Sequence, residues 1–179
     1  MNDANGLPTA AEIVAFWRDA GYAKWFRGGD AFDAAVRERL ADAHFAAARR
    51  ELEAWMDEAE GALALLILLD QVPRNIFRGS AHSYATDPLA LHYANRMVES
   101  GLDQQVEPGL RVFCYLPFEH SEDLLDQERS VALARGLDGS YHDYAVRHHE
   151  VIERFGRFPH RNRALGRVNT VEEQAWLDA

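Results

Sequence analysis

Ala62 to Leu69 is an unbroken run of eight apolar residues, flanked by Glu60 and Asp70. At helical pitch such a run has no polar face, so a helix here must be covered on all sides. It is predicted to be the centre of the core. A membrane span needs roughly 20 apolar residues, and this run is far shorter. The polar segment Asp70-Gln-Val-Pro-Arg-Asn-Ile-Phe-Arg-Gly79 is then held at the end of a buried rod. Pro73 is predicted to end the helix, with Arg74, Asn75 and Arg78 beside unsatisfied carbonyls.

Other boundaries can be read from cap chemistry. Thr9-Ala-Ala-Glu12 has the form of a capping box before the apolar spacing of Ile13, Phe16 and Trp17, and Gly21 is expected to stop that helix. Asp30 can cap a second helix carrying Phe32, Val36 and Leu40 on one face. Glu51 to Glu60 carries five acids around Trp55 and reads as a solvated connection. Thr86-Asp-Pro88 opens a helix that Gly101 closes. A shorter helix from Pro108 is expected to close at Pro117, and Ser121 is expected to cap the next. Ser140 starts another, which turns Tyr141, Tyr144, Ala145, His148 and Ile152 toward the protein. Thr170-Val-Glu-Glu173 is a second capping box. With no period-2 alternation and no two-residue hairpin turn, the pattern predicts an all-α protein of eight or nine helices in one domain over residues 1–179.

Composition narrows function. Formal charge is −10, with 19 basic against 29 acidic residues, which argues against affinity for nucleic acid or anionic membranes. Cys114 is the single cysteine, so no internal disulfide and no zinc-ligand spacing is available. The first residues show neither a basic nor an apolar leader region, which points to the cytoplasm. Phosphate-cradling glycine loops, dinucleotide fingerprints and RNA-binding signatures are missing, and no cofactor is expected.

Three segments carry a resemblance. Leu69-Asp-Gln-Val-Pro-Arg-Asn-Ile-Phe-Arg-Gly79, Tyr115-Leu-Pro-Phe-Glu-His-Ser-Glu-Asp123 and Arg154-Phe-Gly-Arg-Phe-Pro-His-Arg-Asn162 together resemble the signature of the bacterial family called domain of unknown function 924. Phe16-Trp17, Trp25-Phe26 and Thr170 to Glu173 resemble it too. The resemblance implies an all-helical, tetratricopeptide-like right-handed array and no particular reaction. Two departures from the family pattern are Val72, where phenylalanine is usual, and Glu119, where methionine is usual.

The chemistry of these segments admits three readings. Residues 147–167 hold six arginines against two glutamates, a local reversal of the overall sign, and residues 119–128 hold five acids. These charges can pair into a structural lattice at helix ends. Alternatively they line a cleft in which Arg74, Arg78, Arg154, Arg157 and Arg161, with Asn75, His160 and Asn162, bind a small anionic ligand or an acidic peptide or protein partner. A third reading is a hydrolase-like enzyme using His120 or His160 as general acid or base, with Asp70, Glu122 or Asp123 orienting the imidazole. Ser121 lacks the setting of a nucleophile elbow. His149 and Glu153 share a helix face at i, i+4, but the paired Glu-x-x-His pattern of di-iron bundles is absent and no metal site is predicted. The aromatics, from Phe16 through Phe158, read as core packing.

Overall fold

The structure, a computed structural model, describes residues 6–179, and the leader-region reading rests mainly on residues outside that range. Among the described residues every regular element is helical: α1 (Ala10–Arg27), α2 (Asp30–Ala48), α3 (Ala59–Leu66), α4 (Val72–Ile76), α5 (Asp87–Glu99), α6 (Val112–Glu119), α7 (Leu124–Ala134), α8 (Tyr141–Phe155) and α9 (Val171–Leu177). No helix among them is long and apolar enough to cross a membrane. From α5 to α8 each helix packs on the next, whereas α1 packs on α3 and α2 on α4. The first half therefore interleaves its helices, and the second half stacks them in chain order.

Both capping boxes form. Thr9 accepts from the Glu12 amide while Glu12 reaches back to the Thr9 amide, and Thr170 and Glu173 do the same at α9. Asp30 is already inside α2, where Gly29 holds the cap position and the acid faces the positive helix end. The acidic connection is less solvated than its charge suggests, because Leu52 and Met56 are buried beneath it.

Ala62 to Leu69 is buried along its whole length, as an all-apolar helix requires. Its end departs from expectation, because Pro73 does not terminate the rod. Ile67–Gln71 form a wide π-turn and the chain continues directly into α4. Pro73 has no N–H to offer the turn before it, but side chains from elsewhere supply donors. The Thr86 hydroxyl donates to the Leu69 carbonyl at 2.5 Å, and His44 Nδ1 lies 2.8 Å from the Leu68 carbonyl. The Arg37 guanidinium donates to the Ile76 carbonyl at the far end. Pro117 likewise lies inside α6 rather than closing it. Burial of Phe113, Leu116 and Phe118 around it carries the helix across one missing hydrogen bond.

Candidate functional site

The π-turn aims Asp70 inward at α6. Asp70 is 1% exposed, and its Oδ1 lies 2.7 Å from Nδ1 of His120, the residue that caps α6. Gln71 Nε2 donates to the other carboxylate oxygen at 2.6 Å. Arg74 Nη1 sits 3.3 Å from Oδ1 and donates to the Asp70 carbonyl, while its two terminal nitrogens grip Asp87 at 2.8 and 2.9 Å. Burial works to raise the Asp70 carboxyl, but the Arg74 charge, His120 and Gln71 outweigh it and hold the group well below the usual carboxylate range. Burial and Arg74 push the His120 imidazole down, against the opposing pull of Asp70. The carboxylate is therefore ionised and the imidazole neutral, which assigns the proton to Nδ1 and leaves Nε2 as a lone pair. Nε2 has no hydrogen-bond partner among the described residues, and His120 lines an open space.

That space is a cavity of about 410 Å³. Gly21 (φ 73°) breaks the regular path of α1 and redirects its last turn, which a residue with a Cβ would resist. This last turn supplies Tyr22, Trp25 and Phe26 as one wall. Trp25 Nε1 donates to the Trp17 carbonyl at 2.6 Å, and the Trp25 ring meets Phe113 edge-on at 5.0 Å, so the wall is fixed. Tyr141 and Tyr144 of α8 form the facing side, with Tyr141 about 6 Å from both Tyr22 and Phe26. Tyr22 and Phe26 pack on each other and on Tyr141 yet remain 47% and 43% exposed, which leaves apolar surface open on one rim. Arg27 stands at this rim with no side-chain hydrogen bond or ion pair among the described residues.

Glu119 closes the inner end beside His120. It is 8% exposed, and His148 Nδ1 lies 3.2 Å from its Oε1. His148 Nδ1 is also 2.8 Å from the Tyr144 carbonyl, which holds its proton. Burial, and then repulsion from Asp70, pushes the Glu119 carboxyl up to about 8. At neutral pH it is predominantly a carboxylic acid. The inner end thus offers an O–H donor, an imidazole lone pair and the unused Gln71 amide oxygen.

The residues singled out from sequence divide into two groups. His120, Asp70 and Arg74 belong to the inner end, and Asn75 and Arg78 to the rim, where both are bonded to Asp33. The others build a lattice beside the cavity. Glu122 takes a forked pair from Arg167 and the Phe158 amide, so it does not orient an imidazole. Asp123, rather than Ser121, caps α7 by accepting from Leu125, and the Ser121 hydroxyl donates to Asp126. Arg154 pairs with Glu172 and Arg157 with Glu173, while Asn162 donates to Asn169 and Glu173. These groups are engaged by the chain's own side chains, and Arg154, Arg157 and Asn162 do not line the cavity. Arg161 is sandwiched between the Tyr84 and Phe158 rings and reaches Asp87 at 3.4 Å. His160 does not line the cavity, and its imidazole is lowered to about 4 by burial and then by the Arg161 charge. His149 and Glu153 join no cluster of three ligand side chains among the described residues.

The aromatic wall, Arg27, Gln71 and His148 were not expected from sequence. Their signal was the segment Tyr22 to Arg27, rich in aromatics yet enclosed between Gly21 and Gly28, too short for an independent packed helix.

Comparison with known proteins finds no match among curated proteins. Among solved structures, one of a protein of unknown function, ATU0120 from Agrobacterium tumefaciens, is 54% identical and superposes with a TM-score of 0.92, covering 94% of this chain and 96% of its own. The family model for the bacterial protein of unknown function DUF924 matches residues 13–179, and the chain accordingly belongs to that family.

Proposed function

We propose that this protein binds a small molecule whose aromatic or aliphatic body lies against Tyr22, Trp25 and Phe26 and whose neutral polar head meets Glu119, His120 and Gln71. The observation that carries this is the pairing, in one cavity of about 410 Å³, of exposed aromatic walls with a closed end of unused hydrogen-bonding atoms. That volume suits a small ligand rather than a folded partner. Among the arginines expected to bind an anion, Arg74 and Arg78 do line the cavity, but Asp87 and Asp33 fill their forks. An anionic group on the ligand therefore has its best partner in Arg27 at the mouth, with the head remaining neutral. We place this activity in the cytoplasm, a reading supported by the single, buried Cys114.

A thermal-shift screen of neutral aryl and alicyclic compounds, with matched carboxylates, tests the proposal. Binders are expected to raise the melting temperature and to quench Trp25 emission. Phe26→Ala, on a half-exposed ring, is expected to fold normally and weaken binding at least tenfold. Binders unaffected by both Phe26→Ala and Tyr22→Ala would show that the cavity is not the site.

A further inference from the structure

We propose that the inner end of this cavity moves protons at a carbon next to a carbonyl group, with His120 Nε2 taking the proton and the Glu119 carboxyl holding the carbonyl oxygen. The proposal rests on the ligand-binding reading above and assigns it a substrate class, neutral ketones and related carbonyl compounds.

Three observations lead to it. The first is the Asp70 to His120 contact of 2.7 Å. It fixes which imidazole nitrogen carries the proton and places a fully buried carboxylate where the imidazolium will form, the arrangement a general base needs. The second is Glu119, whose carboxyl opens into the same cavity with no arginine or lysine on it. Held in its acid form, it donates a hydrogen bond to a neutral acceptor, and that bond strengthens as negative charge develops on the acceptor. A carboxylate head would instead bring a second negative charge beside the ionised Asp70. The third concerns nucleophiles. Among the described residues the cavity lining holds no Ser, Thr, Cys or Lys, the Ser121 hydroxyl is engaged by Asp126, and Cys114 is sealed in the core. Acid–base chemistry is what these side chains can perform without a covalent intermediate.

The step balances within the ligand. The C–H bond breaks, its proton goes to His120 Nε2, and its electron pair forms the C=C bond of an enolate. The carbonyl π pair moves onto oxygen, where the Glu119 O–H receives it as a hydrogen bond. The imidazolium is paired with the Asp70 carboxylate. Once the imidazolium has exchanged its proton with water, delivery of a solvent proton to the same carbon completes hydrogen exchange, and delivery to a conjugated carbon shifts a double bond. No oxidant, reductant or second substrate is required.

2-Tetralone, a neutral aryl ketone, is a suitable probe. Its binding is read by Trp25 quenching, and its α-carbon exchange in heavy water by mass spectrometry. The protein is expected to accelerate exchange above buffer, His120→Gln to reduce the acceleration at least 100-fold with the probe still bound, and Glu119→Met to reduce it at least tenfold. Glu119→Met touches none of the arginine pairs, so it remains informative if His120→Gln folds poorly. Glu119→Gln, which keeps a donor, is expected to retain more activity than Glu119→Met. Asp70 is a positioning residue: Asp70→Asn should lower the rate and also move the acid limb of the pH–rate profile downward, because the carboxylate's upward pull on His120 is lost. Bound 2-tetralone exchanging at the buffer rate would overturn the proton-transfer proposal and leave the pocket intact. Failure of 2-tetralone to bind would overturn the neutral-head reading itself, and the proposal with it.

Discussion

Gly61 sits in the first turn of α3, where the ordinary rule favours alanine over glycine by about 1 kcal/mol. The structure predicts the opposite. A Cβ at position 61 would stand 2.3 Å from the Trp55 carbonyl oxygen and 3.0 Å from Trp55 C and Cα, whereas even a close C–H···O contact is about 3.3 Å. The obstacle is backbone, with no rotamer to change, so the 3₁₀ turn Glu53–Asp57 must lift from α3 by about 1 Å. Met56 in that turn is buried against the core. Overpacking a well-filled site costs about 1–3 kcal/mol, and the immobile obstacle places Gly61→Ala at the upper end. Subtracting the propensity gain leaves a net loss of about 2 kcal/mol, or roughly 4–8 °C in melting temperature for a domain of this size. Urea and thermal unfolding followed by circular dichroism read this directly. Gly109→Ala, where nothing lies within 4 Å of the added carbon, is the control, expected to be neutral or stabilising by up to about 1 kcal/mol. If Gly61→Ala melts at or above the parent, the reasoning that α3 is wedged against the Trp55 carbonyl is wrong.

Three further outcomes follow from the same contacts. Thr86→Val removes the donor to the Leu69 carbonyl, which the residue four places on, Pro73, cannot replace. A loss of about 1–3 kcal/mol is expected in chemical denaturation, with Thr86→Ser retaining most of the stability; equal losses in the two variants would refute the hydrogen-bond explanation. Arg74→Met strips Asp70 and Asp87 of their shared buried partner and is expected to lose about 3 kcal/mol, while Arg161→Met, whose polar contact to Asp87 is the longer 3.4 Å, is expected to lose less in the same melts. For Glu119, the ordinary carboxyl value is 4.5 and the folded value about 8. Between them the native state keeps a proton that the unfolded chain has lost, so this residue subtracts from stability as pH rises through that window. Glu119→Gln is expected to gain on the parent between pH 5 and pH 8 and no further above it; parallel stability curves would refute the raised carboxyl.

Where structure follows from neighbours in sequence, the sequence was legible. The run from Ala62 to Leu69 dictated a helix with no exposed face, and the Thr9 and Thr170 capping boxes needed only residues three apart. Pro73 was misread because termination by proline is a local rule, and the donors that replace its missing N–H come from Thr86 and His44, far along the chain. Pro117 was misread for a similar reason, since burial on both sides carries the helix through. The charges of the candidate site were visible, but not their partners: nothing in the sequence shows that Arg157 meets Glu173 or that Asp70 meets His120 fifty residues away. Phe26 was read as core because an aromatic stripe does not reveal whether the space opposite it is filled.

The lattice and the cavity are one construction rather than competing explanations of the same residues. Glu173, placed by the α9 capping box, holds Arg157, and Arg157 also donates to the Val168 carbonyl. Glu122, gripped by Arg167, accepts from the Phe158 amide. The segment between them is thereby fixed with Phe158 and Arg161 against Tyr84, where Arg161 and Arg74 share Asp87. Two carboxylates, Asp70 and Asp87, are then matched by two guanidiniums, and the remaining inner groups, Glu119, His120 and His148, are all driven toward their uncharged forms. An end so balanced discriminates against charged heads without a steric gate. It also makes Asp87, which faces no ligand, a control on the site: its charge pulls His120 upward while Arg74 pushes it down. Replacing Asp87 by asparagine would remove one of the two carboxylates that oppose Arg74 at the imidazole, lowering its basicity while leaving the aromatic wall in place.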